Sequence, residues 1–390
     1  MTTRKSATPQ TEEAAPNESF ATDQPSLAKT PLKKYFEAAV KFESSDLLLR
    51  GGNVPKLRLR GTLKALDTPA VPEDKFEAYI NDALTPELKK QFLEHGSLDL
   101  GTDFEINGET HRFRINLFRT RGRAAIAARR VSNEISDFED LLLPASLREV
   151  ADKHQGLILL CGVTGSGKST TIASMLNHVN KKRACHIVTI EDPIEYLFTD
   201  QKAIINQREV GIDVPDFSTA LRALVRENPD VVLIGEMRDK ETFEAALQAS
   251  ETGHLVFGTI HASSASQAFG RIYDLFPAEE RDAIRSILAY QMQAFVYQKL
   301  LPTVREDIQR VPGVEVLLQS PATRKYILDG REAELEEVIK NNREAGMQTF
   351  TDSLVQLVND NYVHPKVAQQ SASSPDEVKM RLRGITSSGG

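Results

Sequence analysis

Two kinds of hydrophobic pattern divide the chain. Up to about residue 132, short apolar runs alternate with polar residues, as in KLRLRG and RFRINLF, and are interspersed with segments of helical spacing. After about residue 147, continuous apolar runs such as GLILLCG, HIVTIE, VVLIGE and LVFGTIH are separated by helical segments. Alternation predicts antiparallel strands, whereas continuous apolar strands separated by helices predict a buried parallel sheet.

These patterns predict a domain organisation. We expect a small α+β domain over residues 31–132, a polar linker that acts as a hinge over 133–146, and an α/β domain over 147–365 that ends in a helical part. Residues 1–30 and 366–390 are rich in Ser, Thr, Pro, Ala and Glu, or in Ser and Gly. Such segments bury too little apolar surface to offset the entropy of ordering, so we expect a disordered N-terminal tail and a flexible C-terminal tail.

The stretch CGVTGSGKSTT at residues 161–171 joins an apolar strand to a segment of helical spacing. Its glycines permit backbone angles that let consecutive amides face a phosphate, and the following helix adds its positive dipole end. The pattern is GxxxxGK[ST], the phosphate-binding loop of nucleoside triphosphatases. The predicted phosphate and nucleotide contacts are Gly162, Thr164, Gly165, Ser166, Gly167, Lys168, Ser169 and Thr170, with Ser169 placed to coordinate Mg²⁺.

Composition narrows the class of protein. The chain has 390 residues, of which 40% are hydrophobic and 26% are charged, and a net charge of −7. This balance is ordinary for a soluble globular protein and argues against a nucleic-acid-binding motor, which would normally carry a basic excess. The apolar runs are too short to span a bilayer, so we expect a cytoplasmic protein. The two cysteines, Cys161 and Cys185, are predicted to be reduced core residues.

Acidic residues follow two of the predicted parallel strands. HIVTI runs into Glu191, Asp192 and Glu195, and VVLI runs into Gly235 and Glu236. Because ligands collect at the carboxyl ends of parallel strands, both groups are expected beside the phosphate loop. We assign Glu195 as the base that activates water and Glu236 as a Mg²⁺-shell residue. Glu191 and Asp192 stay open as rivals, and Asp192 could instead cap a helix.

Histidines and arginines provide further candidates. His261 ends the strand LVFGTI and could sense the terminal phosphate, and His254 at the start of that strand is a weaker candidate. Residues 111–131 carry seven arginines. Arg112 and Arg114 alternate on a strand and therefore share one face, and with Arg129 they could reach the nucleotide site of a neighbouring subunit. Solvated surface charge is the alternative use for each of them.

The motifs taken together resemble a known family. GVTGSGKSTTIASMLNHVN, HIVTIEDPIEY, NQREVG, RALVRENPDVVLIGEMRD, ETGHLVFGTIH and RIYDLFPAEER are similar to the secretion ATPase superfamily, specifically the pilus retraction motors of the PilT and PilU type. The resemblance implies a RecA-like P-loop core with an N-terminal PAS-like domain. It also implies a homo-hexamer that hydrolyses ATP with Mg²⁺ and sits beneath an inner-membrane platform protein. A related retraction ATPase is an optional further partner, and no nucleic acid is expected.

Residue by residue, the resemblance agrees with the strand-end assignments. It places the family's phosphate-loop Lys and Ser on Lys168 and Ser169, its catalytic glutamate on Glu195, and its Walker B glutamate on Glu236. The histidine-box residue corresponds to His261, and the N-terminal arginines correspond to Arg112, Arg114 and Arg129.

Two stretches depart from the family pattern, ATRKYILDG and SDLLL, whereas GMQTF is retained. Despite these departures we still expect ATP turnover, and two interpretations of the function stay open. The first is a motor for pilus retraction; the alternative is an accessory PilU-like or nucleotide-switched ring component. Cysteine spacing cannot form the tetracysteine zinc site of extension-type relatives, which favours retraction over extension.

Overall fold

The computed structural model describes residues 26–59, 61–132 and 134–384, and for Val225 the backbone only. The chain divides into two compact units, one up to Arg130 and the other from Val131 onwards. The expected domain boundary at 132/133 therefore lies two residues too late. The disordered tail predicted over 1–30 lies mostly outside the described residues, and within it Leu27–Lys29 form a short 3₁₀ turn in which Leu27 is buried.

The first unit is a six-stranded antiparallel sheet in the order β3-β2-β1-β6-β5-β4, packed against helices. Its elements are α1 (Lys33–Lys41), β1 (Asp46–Arg50), β2 (Lys56–Leu59), β3 (Thr62–Ala65), α2 (Glu73–Ala83), α3 (Pro86–His95), β4 (Ser97–Ile106), β5 (Glu109–Thr120) and β6 (Arg123–Arg130). The predicted antiparallel α+β character is confirmed. Strands β3 and β6 were not predicted.

An aromatic cluster forms the core of the first unit. The rings of Phe36 and Phe104 stack with centroids 4.1 Å apart, and Phe113 meets both edge-on. Along β5, Phe113 and the alternate residues Ile115 and Leu117 are buried. The polar residues between them therefore lie on the opposite face of the sheet.

The second unit contains a seven-stranded sheet in the order β13-β12-β7-β11-β10-β8-β9. Its first elements are α4 (Ser146–Ala151), β7 (Gly156–Cys161), α5 (Lys168–Lys182), β8 (His186–Glu191), β9 (Ile204–Glu209), α6 (Phe217–Leu224), β10 (Val231–Ile234), α7 (Lys240–Glu251) and β11 (Leu255–Ile260). The later elements are α8 (Ala265–Tyr273), α9 (Arg281–Gln291), β12 (Met292–Pro302), β13 (Arg310–Leu318), α10 (Pro321–Leu328), α11 (Leu335–Asn341), α12 (Phe350–Asn359), α13 (Pro365–Ser371) and α14 (Pro375–Leu382).

The four predicted apolar strands β7, β8, β10 and β11 pair in parallel, as expected. They are buried on both faces, which explains their continuous apolar runs. Three strands were not predicted: β9 and β12 extend the parallel sheet, and β13 pairs antiparallel with β12. Their sequences mix polar and apolar residues without a clear period, so the local pattern does not indicate a strand.

The linker predicted over 133–146 is not a separate segment in its described part. Phe138 is 4% exposed and packs in the core of the second unit, and the Lys181 ammonium lies 2.6 Å from the Asp137 carboxylate. Residue 133 lies outside the described residues. Phe138, Leu142 and Leu143 of the expected linker are therefore packed against this unit, and the hinge itself stays a prediction.

The flexible C-terminal tail is also wrong where the structure describes it. Residues 366–384 contain α14 and most of α13, and Ala368 and Val378 are fully buried against α12. Arg381 pairs with Asp352 at 2.6 Å. Few apolar side chains suffice to hold these helices because the apolar side chains of α12 already provide a surface to pack against. Residues 385–390 lie outside the described residues.

Candidate active site

The loop between β7 and α5 has the geometry of a phosphate-binding loop. Gly165 and Gly167 have φ angles of 75° and 87°, in the left-handed region that favours glycine. Gly167 directly precedes the first residue of α5. The predicted nucleotide-binding residues Gly162, Thr164, Gly165, Ser166, Gly167, Lys168, Ser169 and Thr170 thus all lie on this loop or on the first turn of α5.

Lys168 folds back over the loop. Its ammonium donates to the backbone carbonyls of Gly162, at 2.8 Å, and Val163, at 3.1 Å. Partial burial lowers the pKa of Lys168, while Glu236, Cys161 and Glu195 act in the opposite direction. The loop therefore holds the Lys168 ammonium at its centre. Phosphate oxygens of a bound nucleotide would replace the two carbonyls as acceptors of its hydrogen bonds.

The acidic strand ends lie beside the phosphate loop, as predicted. Strands β8 and β10 pair in parallel, with Ile190 opposite Ile234, so their carboxyl ends meet at the same edge. A cavity of about 220 Å³ opens there, and Ser169, Glu195 and Glu236 all line it. The sequence-based assignment of these three residues to one site is thus consistent with their placement.

Glu236 is held by two basic side chains. Arg238 donates a hydrogen bond to its Oε2 at 2.5 Å, and Nε2 of His261 lies 2.9 Å from its Oε1. The hydrogen bond from Arg238 is the main reason why the pKa of Glu236 is lowered. Glu236 is therefore a carboxylate at neutral pH.

The structure also separates the three acids that follow β8. Glu191 is buried and accepts hydrogen bonds from Thr189, at 2.7 Å, and from Gln207, at 3.2 Å. Burial raises the pKa of Glu191, and these hydrogen bonds only partly oppose the shift. Glu195 is exposed to the cavity, so its carboxylate is more accessible to a water molecule.

Asp192 also lines this cavity, and it is exposed. In the described chain no helix begins beside it, so a capping role has no support. Asp192 stays a rival of Glu195 on position alone.

The two candidate histidines lie at opposite ends of β11. His261 follows the carboxyl end of the strand and contacts Glu236. His254 precedes the strand, and its Nδ1 lies 2.9 Å from the carbonyl of Ala249 at the end of α7. The weaker assignment of His254 to the site is therefore wrong, because it lies at the edge of the sheet that faces away from the loop.

The magnesium assignment can be tested against the donor atoms. Ser169 and Glu236 offer hydroxyl and carboxylate oxygens, the ligands that Mg²⁺ prefers, and Mg²⁺ completes its shell with water and phosphate. Oε1 of Glu236 is buried, and its 2.9 Å contact with Nε2 of His261 does not have the geometry of a hydrogen bond, so within the described residues this oxygen has no hydrogen-bond donor. The residues therefore fit a magnesium ion.

The three candidate arginines lie on the polar face of the first unit's sheet. Arg112 and Arg114 alternate with the buried Phe113 and Ile115 along β5, so their expected shared face is confirmed. Arg129 lies directly opposite Arg114 on β6. Arg129 bonds to Asp46 at 2.9 Å, and Arg112 bonds to Asp103 at 3.0 Å. Arg114 is exposed and makes no ion pair within the described residues.

Sequence patterns did not single out three polar partners in the site. Arg238 holds Glu236, Gln207 holds Glu191, and the hydroxyl of Tyr196 lies 2.7 Å from that of Thr170. Their roles depend on contacts between separate elements. Only their closeness to the acidic strand ends could have suggested them.

Comparisons with known proteins agree with this geometry. The family model for the type II/IV secretion system protein matches residues 99–372. The type IV pilus retraction ATPase PilT of Pseudomonas aeruginosa is 38% identical over 338 residues, which cover 87% of this chain and 97% of that protein. The type IV pilus ATPase PilU of the same organism is 34% identical, covering 90% of this chain and 91% of that protein.

A solved structure of the pilus retraction motor PilT with bound ADP matches with a TM-score of 0.80 and 39% identity. The match covers 90% of this chain and 99% of that one. The fold expectation, a RecA-like ATPase core preceded by an N-terminal domain, is confirmed by this match. The chain belongs to the type II/IV secretion system protein family, as an ATPase of the PilT and PilU type.

Proposed function

We propose that this chain is the ATP-hydrolysing subunit of a homo-hexameric ring that drives retraction of a type IV pilus. The main support for this proposal is that Ser169, Glu195 and Glu236 line one cavity beside the lysine of the phosphate loop. The named function of the PilT relatives, together with coverage of nearly their whole length, supports the mechanical role.

Each site residue has a role in this proposal. The loop amides and Lys168 bind the phosphates, and Glu195 orients the attacking water and accepts its proton. Ser169 and Glu236 would hold Mg²⁺, which neutralises phosphate charge when bound. His261 donates a hydrogen bond near the terminal phosphate.

The arginines complete the site in the assembled ring. Arg112, Arg114 and Arg129 form one basic cross-strand group, and we assign it to the nucleotide of a neighbouring subunit. Arg114 is the strongest member because its guanidinium is exposed and not tied to a carboxylate in the described structure. The platform protein and the inner-membrane location belong to this proposal and rest on the family resemblance of the sequence. Among the described residues, no helix is long and apolar enough to cross a bilayer.

Phosphate release and ADP binding by the purified protein test the proposal. Lys168→Ala should abolish both, whereas Glu195→Gln should retain ADP binding and lose at least about 100-fold in turnover. Because Glu195 and Glu236 act on one transition state, the double Gln variant should lose little more than Glu195→Gln.

Lys181→Ala is the matched control, because Lys181 lies at the far end of α5 and pairs with Asp137. It should turn over ATP like the unmodified protein. Unchanged turnover in both Lys168→Ala and Glu195→Gln would remove the proposal.

An accessory role is the second candidate, favoured by the similarity to PilU over 90% of the chain. In that case the isolated ring would bind ADP but release phosphate only when a related retraction ATPase is present. Measuring ATP turnover with and without such a partner distinguishes an independent retraction motor from an accessory component.

A further inference from the structure

Gln298 lies beside the phosphate loop although it is 132 residues away in the chain. It belongs to β12, which pairs in parallel with β7 and places Tyr297 opposite Cys161. Gln298 therefore follows the last paired position and adjoins Gly162, where the loop begins. Its side chain is only 2% exposed.

The Gln298 amide bonds to both sides of the lysine. Its Nε2 donates to the carbonyl of Ser166 in the loop at 2.8 Å, and its Oε1 accepts from the hydroxyl of Thr171 in α5 at 2.8 Å. A carbonyl oxygen can only accept, so the amide nitrogen must face Ser166, and this fixes the orientation of the side chain. One buried amide thus ties the loop to the first turn of its helix.

Two glycines of the loop make room for this residue. A Cβ at Gly167 would lie 2.7 Å from the side-chain Nε2 of Gln298. A Cβ at Gly162 would lie 2.5 Å from the backbone carbonyl oxygen of Gln298. Both distances are below 3.0 Å, so a Cβ at Gly167 would displace the Gln298 side chain and a Cβ at Gly162 would displace the backbone of β12. The glycines are thus needed for close approach of Gln298 as well as for backbone conformation.

The bond to Ser166 sets the direction of the next amide. In a trans peptide the carbonyl oxygen and the amide hydrogen point in opposite directions. Holding the Ser166 carbonyl towards Gln298 therefore turns the Gly167 N–H away from β12. In the described part of the chain this N–H has no backbone acceptor, which leaves it able to meet a phosphate oxygen.

We propose that Gln298 is a positioning residue that preorganises the phosphate loop for nucleotide binding. The inference rests on the proposed ATPase function and deepens it. Gln298 does not touch the nucleotide; it acts by holding the Ser166–Gly167 peptide and the Thr171 hydroxyl in place. Without it, the binding free energy of the phosphates must also order the loop, which weakens affinity.

The first test is Gln298→Met, which keeps the length of the side chain and removes both hydrogen bonds. ADP affinity should fall by about 10-fold. Because the loop binds the ground state and the transition state alike, the KM for ATP should rise by a similar factor while kcat changes less than about 3-fold. Calorimetric titration with ADP and steady-state phosphate release measure the two effects.

The second test is Gln298→Glu, whose behaviour should depend on pH. A protonated glutamate can donate to the Ser166 carbonyl and accept from Thr171, whereas an ionised one places an oxygen against that carbonyl. ADP affinity should therefore approach that of the unmodified protein at low pH and fall as pH rises. The charged residues near this position, Lys168, Arg310 and Asp140, are the same in both proteins, so the ratio of the two affinities at each pH isolates residue 298.

Gln293→Met is the matched control, since Gln293 lies on the same strand at the end away from the loop. It should bind ADP like the unmodified protein. Affinities are measured on the fraction that elutes at the oligomer mass of the unmodified protein, so a variant that fails to assemble does not enter the comparison.

The outcomes are distinct. If the unmodified protein binds no ADP, the proposed function fails. If it binds ADP and Gln298→Met binds equally well, or loses no more affinity than Gln293→Met, the positioning role is overturned. Should Gln298→Met not fold, a pH-independent affinity ratio for Gln298→Glu would overturn it instead.

Discussion

Nε2 of His261 lies 2.9 Å from Oε1 of Glu236, which joins the ends of two neighbouring strands, β11 and β10. The contact places an imidazole next to the carboxylate assigned to the magnesium shell. The same contact brings the two residues together at one end of the sheet.

The first prediction concerns this pair. His261→Gln should keep ADP affinity within about 3-fold and lower kcat by at least about 10-fold, because the imidazole acts near the phosphate that leaves. His254→Gln is the matched control at the opposite end of β11 and should leave turnover unchanged. Steady-state phosphate release and ADP titration measure both variants. Equal losses in the two variants would contradict a site role for His261.

The second prediction concerns the basic face of the first unit. Arg114→Ala should lower kcat by at least about 10-fold without dissociating the proposed hexamer, because an arginine that stabilises transition-state charge acts mainly on the chemical step. The loss should appear in the assembled ring, as judged by turnover and oligomer mass in the same sample.

Arg123→Ala provides the comparison for that variant, since Arg123 pairs with Glu73 on the surface of the same unit. It should not change turnover. If Arg114→Ala also leaves kcat unchanged, the arginine has no part in hydrolysis and belongs to the solvated surface.

The third prediction concerns acid stability in the C-terminal helices. Burial alone would raise the pKa of Asp352, but hydrogen bonds from Arg343, Thr349 and Arg381 lower it to about 2, against an ordinary value of 3.8. The folded pKa is depressed, so the ionised group stabilises the fold above about pH 4, and this contribution is lost as pH falls from about 4 to 2.

Asp352→Asn should accordingly lower the free energy of unfolding by about 1–2 kcal/mol near neutral pH. The difference from the unmodified protein should shrink below about pH 4. Asp360→Asn at the exposed end of α12 is the control and should cost less than about 0.5 kcal/mol. The free energies of unfolding are measured by urea unfolding. If the difference between Asp352→Asn and the unmodified protein does not change with pH, the ion pairs of Asp352 are not the cause of that difference.

Local patterns were sufficient for the elements on which the site depends. The runs GLILL and HIVTI are apolar on both faces, so they predicted buried strands and thereby located the strand ends. Asp216 directly precedes the apolar periodicity of α6, and its carboxylate accepts from the Thr219 N–H at 2.6 Å, as expected of an N-terminal cap. Such signals succeed because their cause lies within a few residues of the chain.

Other elements could not be predicted because their stabilising contacts are distant. Strand β6 reads RAAIAARR, whose alanines have little preference for strands, yet it is held between β1 and β5. Helix α14 is short and polar, and it forms because the buried Val378 and Arg381 find partners on and around α12.

By itself, the sequence determined that the chain carries a phosphate loop with acidic residues at neighbouring strand ends, since glycine conformation and apolar periodicity are local properties. Only the tertiary structure decided that Glu191 is buried, that His254 lies away from the site, and that Gln298 holds the loop. The physical reason is that burial and hydrogen bonding between separate strands depend on which elements become neighbours, and no local pattern records that choice.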